Sequence, residues 1–191
     1  MDLTTFLVQS PDLPDRPDTA KFASNWATTI VQKGTRIIRQ GDPETNEFIV
    51  LSGHLASRIS DPDGNEICVG LYVGPTVVTP NIARTRGGAS LVELVAMTDA
   101  RVAQLDTDRL TELMILSEPI RDWANGVLRR ELGRKADREW CLAALGGADR
   151  LAWFREQFPD YESVFPHALI ASFLGITPVT LSRLRHKDTQ S

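Results

Sequence analysis

The sequence is poor in the residues from which disulfide frameworks and metal centres are built. Its 191 residues include two cysteines and three histidines. These are too few for a disulfide scaffold or a four-cysteine iron–sulfur cluster. Cys68 follows Ile67 in a strand-like run, and we interpret it as a small buried hydrophobic side chain. We therefore expect neither a metal nor a cofactor.

The chain also lacks a general excess of positive charge and any long hydrophobic run. Residues 1–120 hold 10 basic and 16 acidic side chains, whereas residues 121–191 hold 11 and 9. A nucleic-acid contact therefore needs a local basic patch, which the C-terminal part can supply. No segment approaches the roughly 18 apolar residues of a membrane span, and no basic segment precedes an apolar run at the N-terminus. We expect a cytoplasmic protein without membrane contact.

Residues 24–106 alternate short apolar or β-branched segments with turn signals. The strongest signal is Asp61-Pro62-Asp63-Gly64-Asn65, which predicts a hairpin turn. About eight such strands at short intervals predict a sandwich, a barrel or a double-stranded roll. Residues 1–20 precede them and contain three prolines among aspartates, which predicts an extended N-terminal arm.

A helical pattern begins near residue 106, and a second amphipathic helix starts at Ser117-Glu118-Pro119. It is predicted to end near residue 136, with Ile120, Trp123 and Val127 on its apolar side. Two interpretations are open, because this side can pack within the chain or pair with its copy in a dimer. We assign residues 21–116 to a roll with a flanking helix and residues 117–136 to a dimerisation helix.

Residues 137–191 are predicted to form a small helical domain, whose strongest motif is PHALIASFLGITPVTLSRLRHK at residues 166–187. Gly175 can end one helix in a left-handed conformation, and Thr177 followed by Pro178 can start the next. Two short helices joined in this way form the helix-turn-helix that places its second helix in the major groove. An ordinary helical hairpin is the alternative. The candidate DNA-contacting residues are Thr177, Thr180, Ser182, Arg183, Arg185 and Lys187, with Arg183 as the candidate for reading a guanine.

In this order the segments resemble the cyclic-AMP receptor / fumarate–nitrate regulator (Crp/Fnr) family of bacterial transcription factors. The resemblance covers about residues 20–187, and it is carried by Lys33-Gly34-Thr35, Ile38-Arg39-Gln40-Gly41-Asp42, Val50-Leu51-Ser52-Gly53, Asp63-Gly64-Asn65-Glu66-Ile67 and IASFLGITPVTLSRLRHK. It implies an α+β protein with a jelly-roll-like double-stranded β-helix, a long dimerisation helix and a C-terminal helix-turn-helix. It also implies a homodimer that binds double-stranded DNA and senses a small molecule in the roll.

The sequence departs from the family in the cyclic-nucleotide site. No glutamate lies between Gly74 and Glu93, and Ser90-Leu91 stands where the family has the Arg–Ser pair that holds the cyclic phosphate. We therefore do not expect cyclic AMP in the usual mode. A short helix starting at Thr79-Pro80 could hold an anion, so another anionic effector, an uncharged one and none at all remain open. The candidate pocket residues are Thr79, Asn81, Arg84, Arg86 and Ser90.

The second helix of the motif departs from the family as well. Pro178 and Val179 stand where cyclic-AMP-type regulators carry an arginine and a glutamate that read bases, whereas Arg183 matches the third such position. The operator sequence of those regulators therefore cannot be transferred to this chain.

Three classes of function compete. The leading hypothesis is a homodimeric Crp/Fnr-type DNA-binding transcription regulator, and the alternative is a protein-interaction module whose helix-turn-helix does not bind DNA. A cupin-like enzyme needs a cluster such as two histidines and a carboxylate around a metal. The strand-rich part has one histidine, His54, so we expect no enzyme.

Overall fold

The computed structural model describes residues 1–10, 13 and 17–188. The elements follow one another as α1 (Leu3–Val8), α2 (Pro17–Ala23), β1 (Ala27–Val31), β2 (Arg36–Ile38), β3 (Asn46–Ser52), β4 (His54–Ser60), β5 (Glu66–Val73), β6 (Thr76–Val77), β7 (Thr85–Arg86), β8 (Ala89–Ser90), β9 (Glu93–Ala96), β10 (Ala100–Asp106), α3 (Thr107–Leu116), α4 (Glu118–Ala144), α5 (Gly147–Gln157), α6 (Tyr161–Val164), α7 (His167–Phe173) and α8 (Pro178–Asp188). A 3-10 helix at Asn81–Ala83 lies between β6 and β7.

The strands form a roll of two antiparallel sheets. One sheet has the order β1-β10-β3-β6 and the other the order β2-β9-β4-β5, while β7 and β8 pair as a small hairpin. The helices follow the roll in the C-terminal part. The prediction of an α+β protein with an N-terminal roll and C-terminal helices is confirmed.

Strand β3 contributes to two cores, one inside the roll and one between the roll and the flanking helices. Successive side chains of a strand point to opposite faces. Phe48 and Val50 pack inside the roll with Leu55 and Leu94, whereas Ile49 and Leu51 face a second core under the flanking helices. Both faces of β3 are therefore buried, which explains its unbroken apolar sequence.

The prediction of an extended arm over residues 1–20 is wrong for its described part. Leu3–Val8 is a helix, whose first turn is capped by the Asp2 carboxylate accepting from the Thr5 backbone N–H at 2.9 Å. Leu3 and Leu7 are buried against the second core. The prolines that suggested an arm lie after this helix, and the apolar spacing of Leu3 and Leu7 decides its fold.

Helix α4 is longer than predicted. It runs for 27 residues through the expected break near residue 136, which gives it a length of about 40 Å. Gly133 lowers helix propensity but does not break the hydrogen-bond ladder, and its arginine, lysine and alanine neighbours favour a helix. The division of the chain at residues 116/117 and 136/137 stays a prediction, and α4 crosses the second of these boundaries.

The apolar side of α4 that was predicted for a dimer is used within the chain. Ile120 and Trp123 are buried in the core beneath the roll, and Trp123 packs edge-on against Phe22 with ring centroids 5.3 Å apart. Val127 is half-buried against the same core. The structure therefore corrects Ile120 and Trp123 to intramolecular core residues, because a side chain covered by its own chain offers no surface to a second copy.

The C-terminal helices pack directly on the roll. Cys68 and Leu71 of β5 share a core with Phe154, Ile170 and Leu181 of the helices. The Arg138 guanidinium, on α4, donates to the Cys68 and Phe173 carbonyl oxygens at 3.3 and 2.9 Å and lies 4.6 Å from the Phe173 ring centroid. The roll, α4 and α7 are thus joined by one half-buried cation.

Candidate nucleic-acid interface and roll pocket

Helices α7 and α8 form a sharp turn at residues 174–177. Their axes differ in direction by 104°, within the range of a helix-turn-helix. Gly175 has a φ of +63°, which an L side chain rarely adopts, and the Ile176 N–H donates to the Ala171 carbonyl at 3.0 Å to close the end of α7. Helix α8 begins where the Thr177 hydroxyl accepts from the Thr180 N–H at 3.1 Å.

Helix α8 presents one face to its own domain and one to the surroundings. Leu181 is buried and Leu184 packs beside it against α5 and α7. The opposite face, spaced at i, i+3, i+4 and i+7, carries Val179, Ser182, Arg183 and His186, all exposed. The predicted contacts Ser182 and Arg183 therefore lie on one accessible face.

The other predicted DNA contacts differ in their surroundings. The Thr180 hydroxyl lies 2.9 Å from that of Thr177, so both take part in the start of α8. Arg185 Nε lies 3.1 Å from a carboxylate oxygen of Glu162, and its guanidinium lies 2.7 Å from His167 Nε2. The side chain of Lys187 lies outside the described part of the structure.

Glu162 joins two arginines beside α8. One of its oxygens is 2.5 Å from Arg155 Nε on α5 and the other is 3.1 Å from Arg185 Nε. Its side chain is about one-fifth exposed. This carboxylate thus places an anion between two cations at the edge of the exposed face.

Arg150, on α5, links the C-terminal ends of α4 and α7. Its position in the sequence does not indicate this role. Its guanidinium donates to the Leu142 and Leu145 carbonyl oxygens at the end of α4, at 2.8 and 2.9 Å, and to that of Leu174 at the end of α7, at 3.1 Å. The last carbonyl groups of a helix lack partners within it and favour a cation. One side chain therefore serves two helix ends.

In the roll, Arg84 is turned inward. It is 2% exposed, and its Nε donates to the Thr79 carbonyl at 3.0 Å. It also donates to the Asn46 carbonyl and lies 3.8 Å from a Glu44 carboxylate oxygen. Burial lowers the pKa of Arg84, and the nearby carboxylates oppose that shift. Nε and Nη2 of this cation are therefore hydrogen-bonded within the protein, whereas its buried Nη1 has no hydrogen-bond partner among the described residues.

Asn81 and Glu47 close the same region. Both Glu47 carboxylate oxygens accept from the Asn81 backbone N–H, at 3.0 and 2.9 Å, at the start of the 3-10 helix. Burial raises the pKa of Glu47 from 4.5 to about 7, while the Asn81 N–H and Arg84 act in the opposite direction. The N–H that was predicted to face an anion therefore already faces a carboxyl group of the chain.

Helix α4 inserts a carboxylate at the mouth of the roll. The Thr79 hydroxyl donates to Glu131, which is buried, and the Tyr72 hydroxyl lies 2.9 Å from that of Thr79. Arg134 and Lys135 of α4 pair with the same carboxylate. Neither Tyr72 nor Glu131 was singled out from the sequence, because only the fold brings residues 52 positions apart together.

Little space remains inside the roll. The cavity between Thr79 and Arg84 holds about 20 Å³, which is room for about one water molecule. A larger cavity of about 560 Å³ lies between β5, α4 and α7, and Tyr72, Thr79 and Glu131 contribute to its lining. Ser90 is buried and its hydroxyl donates to the Val92 carbonyl at 2.7 Å, whereas Arg86 is exposed on the β7–β8 hairpin. The structure brings Thr79, Asn81 and Arg84 together but leaves Arg86 apart.

A comparison with protein families decides the nature of the roll. Residues 28–116 match the family model of the cyclic nucleotide-binding domain. Over these residues the roll is similar to a cyclic nucleotide-binding domain. No curated protein matches the chain.

Solved structures resemble this domain together with the helices that follow it. FixK2 from Bradyrhizobium japonicum is 18% identical with a TM-score of 0.75, covering 86% of this chain and 85% of that one. A CooA variant from Carboxydothermus hydrogenoformans is 16% identical with a TM-score of 0.74, covering 96% and 84%. The c-di-GMP-responsive global regulator CLP of Xanthomonas campestris is 17% identical with a TM-score of 0.69, covering 90% of each chain. The chain has the fold of the Crp/Fnr regulators, which confirms the resemblance.

The cyclic nucleotide-binding domain and the helices after it contain no single helix, within the described residues, that is long and apolar enough to cross a membrane. The bent pair His167–Phe173 and Pro178–His186 meets that length and composition only when its two helices are taken together. Several of its apolar side chains, among them Ile170 and Leu181, are buried in the core shared with β5.

Proposed function

We propose that the protein is a homodimeric transcription regulator that binds double-stranded DNA through α8. The observation that carries this proposal is the exposed face of α8, where Ser182 and Arg183 lie beyond a helix-turn-helix bend of 104°. A helix held in this way fits the major groove, where an arginine side chain donates two hydrogen bonds to the O6 and N7 atoms of a guanine.

Charge supports the same function. Arg155 and Arg185 lie on either side of Glu162, and Arg183 is exposed on the same helix as Arg185. Cations at the edge of a reading helix neutralise DNA phosphates, which fixes the position of the protein without reading the sequence. A protein with a net charge of −4 can bind DNA if its cations are gathered in this way.

We place the dimer interface on the part of α4 that its own chain leaves uncovered. Leu132 and Trp140 are 56% and 58% exposed, and with Leu128 and Ala136 they repeat every four residues along one side of the helix. An exposed apolar stripe on a helix of about 40 Å is what a helix-pairing interface requires. This stripe takes the place of the predicted interface at Ile120 and Trp123, because both of these side chains are buried in the core of their own chain.

We further propose that the cyclic nucleotide-binding domain supports α4 and does not take cyclic AMP in the usual mode. The cavity between Thr79 and Arg84 has a volume of about 20 Å³, which cannot hold a nucleotide beside Arg84. The cavity of about 560 Å³ that Thr79 also lines lies against α4 instead, away from Arg84. Calorimetric titration with cyclic AMP is expected to give no heat of binding. Saturable binding at this site would contradict the proposal.

Selection of duplexes from a random pool tests DNA binding directly. We expect a near-palindromic site whose halves lie about 34 Å apart, one turn of DNA, with affinity that falls steeply as salt is added. Recovery of no sequence preference, or binding that salt does not weaken, would contradict the proposal. Salt-independent association with a protein would instead support the interaction-module alternative.

The dimer is tested separately by sedimentation. Leu132→Glu places a charge in the proposed interface and is expected to shift the protein to a monomer. Ile30→Glu introduces the same charge at a β1 residue that is 77% exposed and is expected to leave the dimer unchanged. Equal behaviour of the two variants would place the interface elsewhere.

A further inference from the structure

One apolar side chain stands on the otherwise polar face of α8. Val179 is 60% exposed and lies one helical turn before Arg183, on the same side as Ser182. The other branched apolar residues of α8, Leu181 and Leu184, pack into the domain core. Val179 therefore contributes nothing to that core, and its surface is available to a ligand of the helix.

The chemistry of the major groove indicates what this ligand is. Among the base edges there, the C5 methyl group of thymine is the one apolar group, and short apolar side chains contact it. Valine suits this contact because its two methyl groups are held by a stiff χ1 angle, so little side-chain freedom is lost on binding. We propose that Val179 contacts the C5 methyl group of a thymine in each half-site. This inference rests on the proposed DNA binding and names one of its specificity-determining residues.

The spacing on α8 fixes where the thymine lies. Val179 and Arg183 are four residues apart, which separates them by about 6 Å along the helix axis. Base pairs are spaced by about 3.4 Å. The thymine and the guanine bonded by Arg183 therefore lie within about two base pairs of each other, on the same or on opposite strands.

The test removes the methyl group alone. In a duplex selected by the full-length protein, each thymine is replaced singly by deoxyuridine, which keeps the base pair and loses only the C5 methyl. We expect one position per half-site at which this replacement weakens binding about fourfold, the effect of exposing one methyl group. At the remaining thymines we expect no change.

Val179→Ala changes the same proposed contact from the protein side. The variant is expected to bind the thymine duplex about 15-fold more weakly than the wild type, about fourfold for each of the two half-sites of the homodimer. It is also expected to be less sensitive to deoxyuridine at the same position, because the shorter alanine side chain contacts the thymine methyl less closely. Ile30→Ala, which shortens an even more exposed apolar side chain on the roll, is expected to bind both duplexes like the wild type.

Each result separates this inference from the function on which it rests. If no duplex is selected, the proposed function is overturned and the inference falls with it. If a duplex is selected but Val179→Ala keeps the full sensitivity to deoxyuridine, the inference is overturned and DNA binding stands. Loss of sensitivity at one position per half-site supports both.

Discussion

Arg84 in the roll and Arg183 on α8 differ in what surrounds the guanidinium group. Arg84 is 2% exposed, bonded to backbone carbonyl oxygens and near Glu44, whereas Arg183 is exposed beside Ser182. The sequence indicates both arginines as candidate ligand contacts, Arg84 for an anionic effector and Arg183 for a guanine. The fold makes Arg84 structural and leaves Arg183 accessible, because carbonyl oxygens and a carboxylate of the roll surround the buried guanidinium of Arg84.

The largest expected effect is the loss of stability when Arg84 of the roll is replaced. Arg84→Met leaves the buried carboxylates of Glu44 and Glu47 without their cation, so the free energy of unfolding should fall by about 3 to 5 kcal/mol. Urea denaturation followed by tryptophan fluorescence measures it. Arg86→Met, at an exposed neighbouring position, should change the same quantity by less than about 0.5 kcal/mol. Similar values for the two variants would mean that Arg84 is not a structural cation.

The next effect is the pH dependence of stability set by Glu47. Its pKa is about 7 in the folded protein against 4.5 for an unperturbed glutamate, so between these values the folded state holds a proton that the unfolded state has lost. The stability from Glu47 is fully present below about pH 4.5 and is lost as pH rises through about 7, a total change of about 3 kcal/mol.

Glu47→Gln tests this dependence, because the amide does not titrate and its oxygen can still accept from the Asn81 N–H. The difference in unfolding free energy between wild type and variant should change by about 2 to 3 kcal/mol from pH 5 to pH 8. Glu66→Gln, at a half-exposed carboxylate, should keep the wild-type dependence. A constant difference between wild type and Glu47→Gln across this range would contradict the assignment.

The third effect is on the α8 side. Arg183→Ala should weaken binding to a selected duplex about 5- to 150-fold and relax the preference at one base pair, as expected for loss of a bidentate contact to guanine. The unfolding free energy should stay within about 0.5 kcal/mol, because the side chain is exposed. Fluorescence anisotropy with Arg39→Ala as the control for a lost surface charge measures the difference. Equal effects of the two variants would mean that Arg183 contributes only its positive charge and does not read a base.

The smallest effect concerns Glu162, which lies between Arg155 and Arg185. Glu162→Gln removes an anion from the edge of the DNA-binding face, and we expect about two- to threefold tighter binding with a steeper salt dependence. Glu156→Gln removes the same charge from an exposed site on α5. If both variants tighten binding equally, the net charge of the domain is the cause rather than the position of Glu162.

The roll and the helix-turn-helix could be predicted because their signals are local. The turn at Asp61-Pro62-Asp63-Gly64-Asn65 and the Gly175–Thr177–Pro178 arrangement act within a few residues, where turn and cap preferences are strong. The helix at Leu3–Val8 was missed because nearby prolines outweighed two apolar residues one turn apart. The continuity of α4 was missed because Gly133 lowers helix propensity without breaking a helix.

The surroundings of the candidate residues could not be predicted because they depend on contacts between distant segments. Nothing near Thr79 in the sequence indicates that its hydroxyl donates a hydrogen bond to Glu131. Likewise, Ile120 and Trp123 show the same apolar spacing whether they meet a second copy or their own chain. Only the packing of α1 and α2 against Trp123 decides between the two.

The position of Glu131 ties α4 to the roll near the middle of the helix. The buried carboxylate accepts from the Thr79 hydroxyl, and Arg138 and Arg150 bond the later part of α4 to α7. Cys68 of β5 also lies in one core with Phe154 and Ile170 of the C-terminal helices. The C-terminal helices are therefore joined to the roll by two routes, one polar through α4 and one apolar through β5.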